Sequence, residues 1–208
     1  MTTYTKHGAR RGVTLIEAVL FISIALGLIV GGLVFFQQAS LAARTNDAVR
    51  SISGLASEIR AAYRTQDTFT GITPAVLISS GAVPSSQVNA AGTGIVNEWS
   101  HPVLIRGNAA GTPAPLATAG QFFEIEYENI PVAACTRLAT ATDGNGPIGP
   151  GIVSIRVRAA NAAANAGGTL IAGRSDLNGR VDITPAEAAA TTGCNVAAPV
   201  DVIFTLAR

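Results

Sequence analysis

One carboxylate stands inside a long apolar run: Glu17, in the stretch VTLIEAVLFISIALGLIVGGLVFF that opens at Val13. An ionised carboxylate costs on the order of 2.5–3.5 kcal/mol at a bilayer centre and less near an interface. Two chemistries fit it. As an interfacial acid in a first helical turn, Glu17 is favoured by the helix dipole. As half of an ion pair it needs a cation, either from Arg10 and Arg11 just upstream or from a neighbouring molecule. The only thiols are Cys135 and Cys194, which exclude a four-thiolate zinc site and form a bridge in an oxidising compartment. His7 and His101 are the only imidazoles, and His101, beside the lone Trp99, reads as structural or exposed. Asp176, Asn178 and Glu187 fall at positions 1, 3 and 12 of a calcium loop, but Arg180 occupies position 5 and Val181 position 6, where glycine is needed. A turn entering a short helix is the reading preferred there. No GxSxG, P-loop, HExxH or CxxC motif occurs, and no nucleophile–base pair stands out. The sequence therefore carries no expected catalytic residue, metal ligand or cofactor site.

The composition agrees with that bias. The 208 residues hold 14 Lys+Arg against 13 Asp+Glu, and only 13% are charged. With 48% hydrophobic residues and a mean hydropathy of +0.38, the chain is not a disordered one. A net charge of +1 without a basic block argues against a direct nucleic-acid site.

The element that must position Glu17 is a helix. From Ala18 to Ala43 there are 26 residues without a charge. At 1.5 Å per residue such a helix spans roughly 39 Å, more than the ~30 Å hydrocarbon core of a bilayer. A signal peptide has a shorter apolar core and then stops at a cleavage site. Here the pattern runs on: Ala48, Ile52, Leu55, Ile59 and Ala62 recur at alternating four- and three-residue spacing, while Arg44, Asp47, Arg50, Glu58, Arg60 and Arg64 lie off that stripe. The helix is predicted to continue to about Gln66. Lys6, Arg10 and Arg11 precede the span, so the positive-inside rule puts the N-terminus in the cytoplasm and the remainder outside. Gly27 and Gly31 have GxxxG spacing, with Gly32 adjacent; close packing, plain tolerance in a membrane helix, and a locally melted turn all fit.

Beyond the helix, Asp67–Gly120 reads as a long connection with a small helix and a hairpin. Strand patterns follow. Phe123, Ile125 and Tyr127 share one parity, with Glu124, Glu126 and Glu128 on the other. In the segment 151–158, Arg156 and Arg158 oppose Val153, Ile155 and Val157, and Val200–Leu206 alternates similarly and is expected to close the sheet. The acids of one strand and arginines of another are expected to pair as surface ion pairs, worth at most ~1 kcal/mol each. The fold class is α+β, a long N-terminal helix packed on an antiparallel sheet. With both cysteines outside the membrane, a Cys135–Cys194 disulfide is the default, with a pair of free thiols as the alternative.

Gly12 followed by VTLIE, with basic residues before and an apolar helix after, resembles the class III leader of type IV prepilins. A first mature residue other than Phe is similar to the type IVb branch, though a 12-residue leader is short for it. NEWSHPVLI around Trp99, IPVAACTRLAT and TPAEAAATTGC also resemble segments of type IVb pilins. The resemblance implies the type IV pilin fold: leader 1–12, membrane and filament-core helix 13–43, amphipathic half 44–66, and a head 67–208 with a disulfide-bounded region 135–194. It implies cleavage between Gly12 and Val13 by a prepilin peptidase, N-methylation of Val13, and Glu17 pairing with the Val13 amine of a neighbour. It also implies an assembly ATPase, a platform protein, an inner-membrane precursor, and an extracellular homopolymer that meets host or recipient cells in adhesion, aggregation or conjugation. A minor pilin or secretion pseudopilin shares the leader. A membrane-anchored periplasmic enzyme or binding protein is the alternative from another class.

Overall fold

The computed structural model describes residues 14–107, 120–140, 151–160, 168–174, 180–181, 184–190, 192–195 and 199–207. Helix α1 runs Leu15–Ala62. The chain divides into two compact units, Met1–Leu41 and Ala42–Arg208. In the first unit α1 buries nothing: Leu15, Ile16, Phe21, Phe35 and Phe36 are all exposed. In the second, Ala48, Ile52, Leu55, Ala56 and Ile59 are buried, as the helical stripe requires. The helix proper ends at Ala62 rather than Gln66. Beyond it the Arg64 and Gln66 amides reach carbonyls only three residues back, the tightening that closes a helix end.

The head carries one seven-stranded antiparallel sheet. Its strands are β1 (Ile95–Val96), β2 (Pro102–Gly107), β3 (Phe122–Ile130), β4 (Ile152–Ala159), β5 (Thr169–Arg174), β6 (Arg180–Val181) and β7 (Val200–Ala207), in spatial order β1-β2-β3-β7-β4-β5-β6. The C-terminal strand β7 thus lies at the centre of the sheet, between β3 and β4. Among its described residues the head also has the short helices α2 (Pro74–Ser79), α3 (Val132–Thr140) and α4 (Pro185–Ala188). The described part of the connection between α1 and β3 contains α2 and the β1–β2 hairpin, the small helix and hairpin that its composition suggests.

The strand parities sort the two faces. Phe123, Ile125 and Tyr127 stand opposite Leu206, Phe204 and Val202, and Ile155 and Val157 extend the same layer onto β4. All are buried, and this face meets α1. The Tyr127 hydroxyl bonds Ser51 Oγ at 2.9 Å, and Arg60 lies over the Phe123 ring while its Nε donates to the Ala207 carbonyl at 3.0 Å.

The opposite face differs from the surface expected of it. Glu124, Glu126, Arg156, Arg158 and Asp201 are buried, with Glu126 at 0% exposure. Arg156 pairs with Glu124, and Glu126 bridges Arg158 and Arg106. Arg158 Nε also reaches Asp201 at 3.3 Å. The acids and arginines do pair, as their alternation suggests: Arg156–Glu124 and Arg158–Glu126 reach across β7, while Arg106–Glu126 and Arg158–Asp201 join adjacent strands. Three carboxylates thereby meet three guanidiniums inside the head, and burial rather than solvent sets their energetics.

Candidate assembly surface

The first unit presents a surface rather than a pocket. Thr14 opens α1, its hydroxyl accepting the Glu17 amide at 3.3 Å. Glu17 is exposed in the first turn, where the helix dipole favours its charge. An 18-residue window of α1 reaches a mean hydropathy of 2.8 with none of it buried, so this helix is long and apolar enough to cross a membrane. Fully burying each Leu, Ile or Phe exposed here is worth about 1.5–3 kcal/mol, so this face carries a large drive toward lipid or another protein. A Cβ on Gly27, Gly31 or Gly32 would meet nothing inside the chain. The fold of the single subunit therefore does not require glycine at these positions. Gly12 and Val13, the expected cleavage pair, lie outside the described residues.

Cys135 and Cys194 are joined by a disulfide, with Cα atoms 5.8 Å apart and both residues buried. Cys135 sits on α3, whose Ala134, Cys135, Leu138 and Ala139 form its inner face. Cys194 is delivered by a tight turn: its amide donates to the Ala188 carbonyl at 2.8 Å. A Cβ on Gly193 would lie 2.6 Å from that same carbonyl oxygen, so only glycine passes there. Glu187 belongs to this turn. Its carboxylate accepts the Thr184 amide at 2.9 Å and the Thr184 hydroxyl at 2.8 Å, while the Glu187 amide donates to Thr184 Oγ1 at 3.3 Å. This is a capping box for α4, and its hydrogen bonds hold the Glu187 carboxyl below the usual range. Asp176 and Asn178 lie outside the described residues. Among those residues no group of three His, Cys, Asp or Glu side chains gathers to hold a metal.

The sequence reading missed one polar device of the head, and of another it foresaw the pairing but not the burial. Asn97 organises the β1–β2 hairpin: its Oδ1 accepts the amides of Trp99 and His101 at 3.0 Å each, and its Nδ2 donates to the Glu128 carbonyl at 2.9 Å. This gives the N-x-W stretch a physical reason, and His101 is exposed beside it. The second device is the buried charge layer. Burial pushes the Glu126 carboxyl up from its ordinary value, with Arg106 and Arg158 pulling it back.

With this geometry in hand, the relatives are informative. The sequence model of one family, Bundlin, matches residues 37–202. The chain belongs to the Bundlin family. Among its relatives are the major structural subunits of the bundle-forming pilus of Escherichia coli O127:H6 (strain E2348/69 / EPEC) and of Escherichia coli O111:H-. Each is 25% identical over 142 residues, covering 68% of this chain and 70% of the relative. Among solved structures, the type IV pilin TcpA of Vibrio cholerae El Tor matches with a TM-score of 0.52 and 16% identity, over 78% of this chain and 98% of its own. A type IVb pilin of Salmonella typhi is 19% identical over 76% of this chain and 97% of its own, with a TM-score of 0.49. The long helix on an antiparallel sheet is the type IV pilin fold, and this Bundlin is a type IVb pilin. Bundlins are structural subunits rather than enzymes.

Proposed function

We propose that this chain is the major structural subunit of a type IVb pilus. The precursor waits in the inner membrane with its N-terminus in the cytoplasm. A prepilin peptidase cuts between Gly12 and Val13, and the new Val13 amine is methylated. An assembly ATPase and a platform protein then drive extraction into a helical homopolymer outside the cell, which serves adhesion, aggregation or conjugation at a host or recipient surface.

The observation that carries this reading is the apolar stretch from Leu15 to Phe36, none of it buried, in a chain whose head keeps its own core. Lipid covers it in the precursor, and the helices of other copies cover it in the filament. Within such a bundle the Val13 ammonium sits at a helix N-terminus, where the dipole disfavours it, and a neighbour's Glu17 neutralises it. Each charge alone in that core is costly, so the pair selects one axial offset between copies. Replacing Glu17 with alanine tests this. Leader removal is expected to persist while filaments sheared from the cell surface disappear; undiminished filaments from Glu17→Ala would overturn the pairing.

A further inference from the structure

An open groove of about 550 Å³ runs beside the second half of α1. Asp47, Ser51 and Glu58 of α1 form one side, and Gly81, Gln87 and Glu98 belong to the other. Its charged lining is three carboxylates, Asp47, Glu58 and Glu98, against one guanidinium, Arg50. Arg50 approaches Asp47 at 3.7 Å, with both side chains largely exposed. Such a pair contributes little in water and exchanges readily. Burial raises the Glu98 carboxyl, and the charge of Asp47 adds to that shift. The groove is short of positive charge.

The segment 13–208 contains no lysine, so any cation supplied by another copy's side chain is an arginine or a histidine. Arg44 is exposed, lies one turn before Asp47, and does not line the groove of its own chain. Among the described residues outside α1, Val76 is the one large apolar side chain left exposed. The described surface of the head is therefore largely polar, so charge can select a contact made through it.

We propose that in the assembled filament Arg44 of one copy seats in this groove on a second copy, level with that copy's Asp47. The inference rests on the pilus reading, in which copies pack with their α1 helices parallel. Three residues separate Arg44 from Asp47, so their pairing between parallel helices asks for an axial slide of about 4.5 Å. Four residues separate Val13 from Glu17 in the sequence, again with the cation N-terminal to the acid, so the pairing proposed above asks for a slide of the same sense. Small residues on the exposed face of α1, Ala43, Gly54 and Ser57, leave room for a neighbour's side chain.

Co-expression of an Arg44→Cys chain with an Asp47→Cys chain tests the seat directly. Sheared filaments are expected to give a reducible dimer on a non-reducing gel from the mixture and not from either chain alone. Mixed filaments without dimer, or an equally strong dimer from Arg44→Cys alone, would overturn the proposal. Charge reversal gives a second reading. Arg44→Glu and Asp47→Arg are each expected to lower sheared filament about tenfold, with the double reversal restoring it and the urea midpoint of each single variant in micelles unchanged. Singles at the unaltered level, or a double as poor as its singles, would count against the seat. Absence of filaments from the unaltered chain would overturn the pilus reading on which the seat depends.

Discussion

Replacing Glu126 with glutamine probes the least expected part of the head. Glu126 is fully buried and shares its two carboxylate oxygens between Arg158 and Arg106. Breaking a buried pair by removing one partner typically costs about 3–5 kcal/mol, because an uncompensated charge stays behind. Here two features pull toward the lower end. The Arg106 side chain is 30% exposed and can recover water, and Arg158 retains Asp201 at 3.3 Å. The expected loss is therefore about 3 kcal/mol, a large share of the 5–15 kcal/mol typical of a domain. With an m-value of about 2 kcal/mol/M, the urea midpoint falls by roughly 1.5 M. The assay is urea unfolding of the full chain in detergent micelles at pH 7, followed by the fluorescence of Trp99, the only tryptophan. Glu128→Gln, at a half-buried position on the same strand, is the control and is expected to stay within about 0.5 kcal/mol. A loss below about 1 kcal/mol for Glu126→Gln would be the value of a surface pair and would refute the buried layer. A cycle with Arg158→Met sharpens the test: the two losses are expected to be non-additive, and simple additivity would contradict direct coupling.

Other perturbations give equally specific outcomes. Cys194→Ser opens a bridge between residues 59 apart in sequence, and the loop-entropy model puts the loss near 4 kcal/mol; an unchanged urea midpoint would contradict a structural bridge. Gly107→Ala places a Cβ 2.2 Å from the Phe69 carbonyl oxygen, so a destabilisation of about 1–3 kcal/mol is expected by the same unfolding assay. Glu98 has its carboxyl raised by burial, so the fold favours its protonated form. Its contribution is present at low pH and is lost as pH rises from the ordinary carboxylate value through the raised one. Glu98→Gln should remove that share of the slope in urea midpoints measured between pH 4 and 8; an identical slope would show that Glu98 does not titrate in the folded head.

The helix and the strand parities were legible because each is a local periodicity. Ala48, Ile52, Leu55 and Ile59 mark one face of α1 at helical spacing, and Phe123, Ile125 and Tyr127 mark one face of β3 at a period of two. What lies over the other face of β3 is not a local property. Glu124 and Glu126 read as solvent-facing from alternation alone, yet the fold buries them with Arg156 and Arg158 two strands away and Arg106 on the adjacent strand. Strand order was hidden for the same reason. Nothing in VDVIFTLA says that it lies between β3 and β4, although the whole strand is buried apart from Ala207. Helix α3 did leave a signal: Ala134, Cys135, Leu138 and Ala139 repeat at four-residue spacing, but an alanine-rich stretch gives weak amphipathic contrast. Thr184, three residues before Glu187, was a capping signal the sequence reading did not use, and the observed bonds match it.

The most direct test of the central claim is intact mass spectrometry on material sheared from the cell surface, with and without reduction. A pilin subunit is expected there as a chain lacking Met1–Gly12, carrying one added methyl group, and gaining two hydrogens when the Cys135–Cys194 bridge is reduced. Full-length chain confined to the membrane, with none in the sheared fraction, would contradict a processed filament subunit and leave the apolar helix as a permanent anchor.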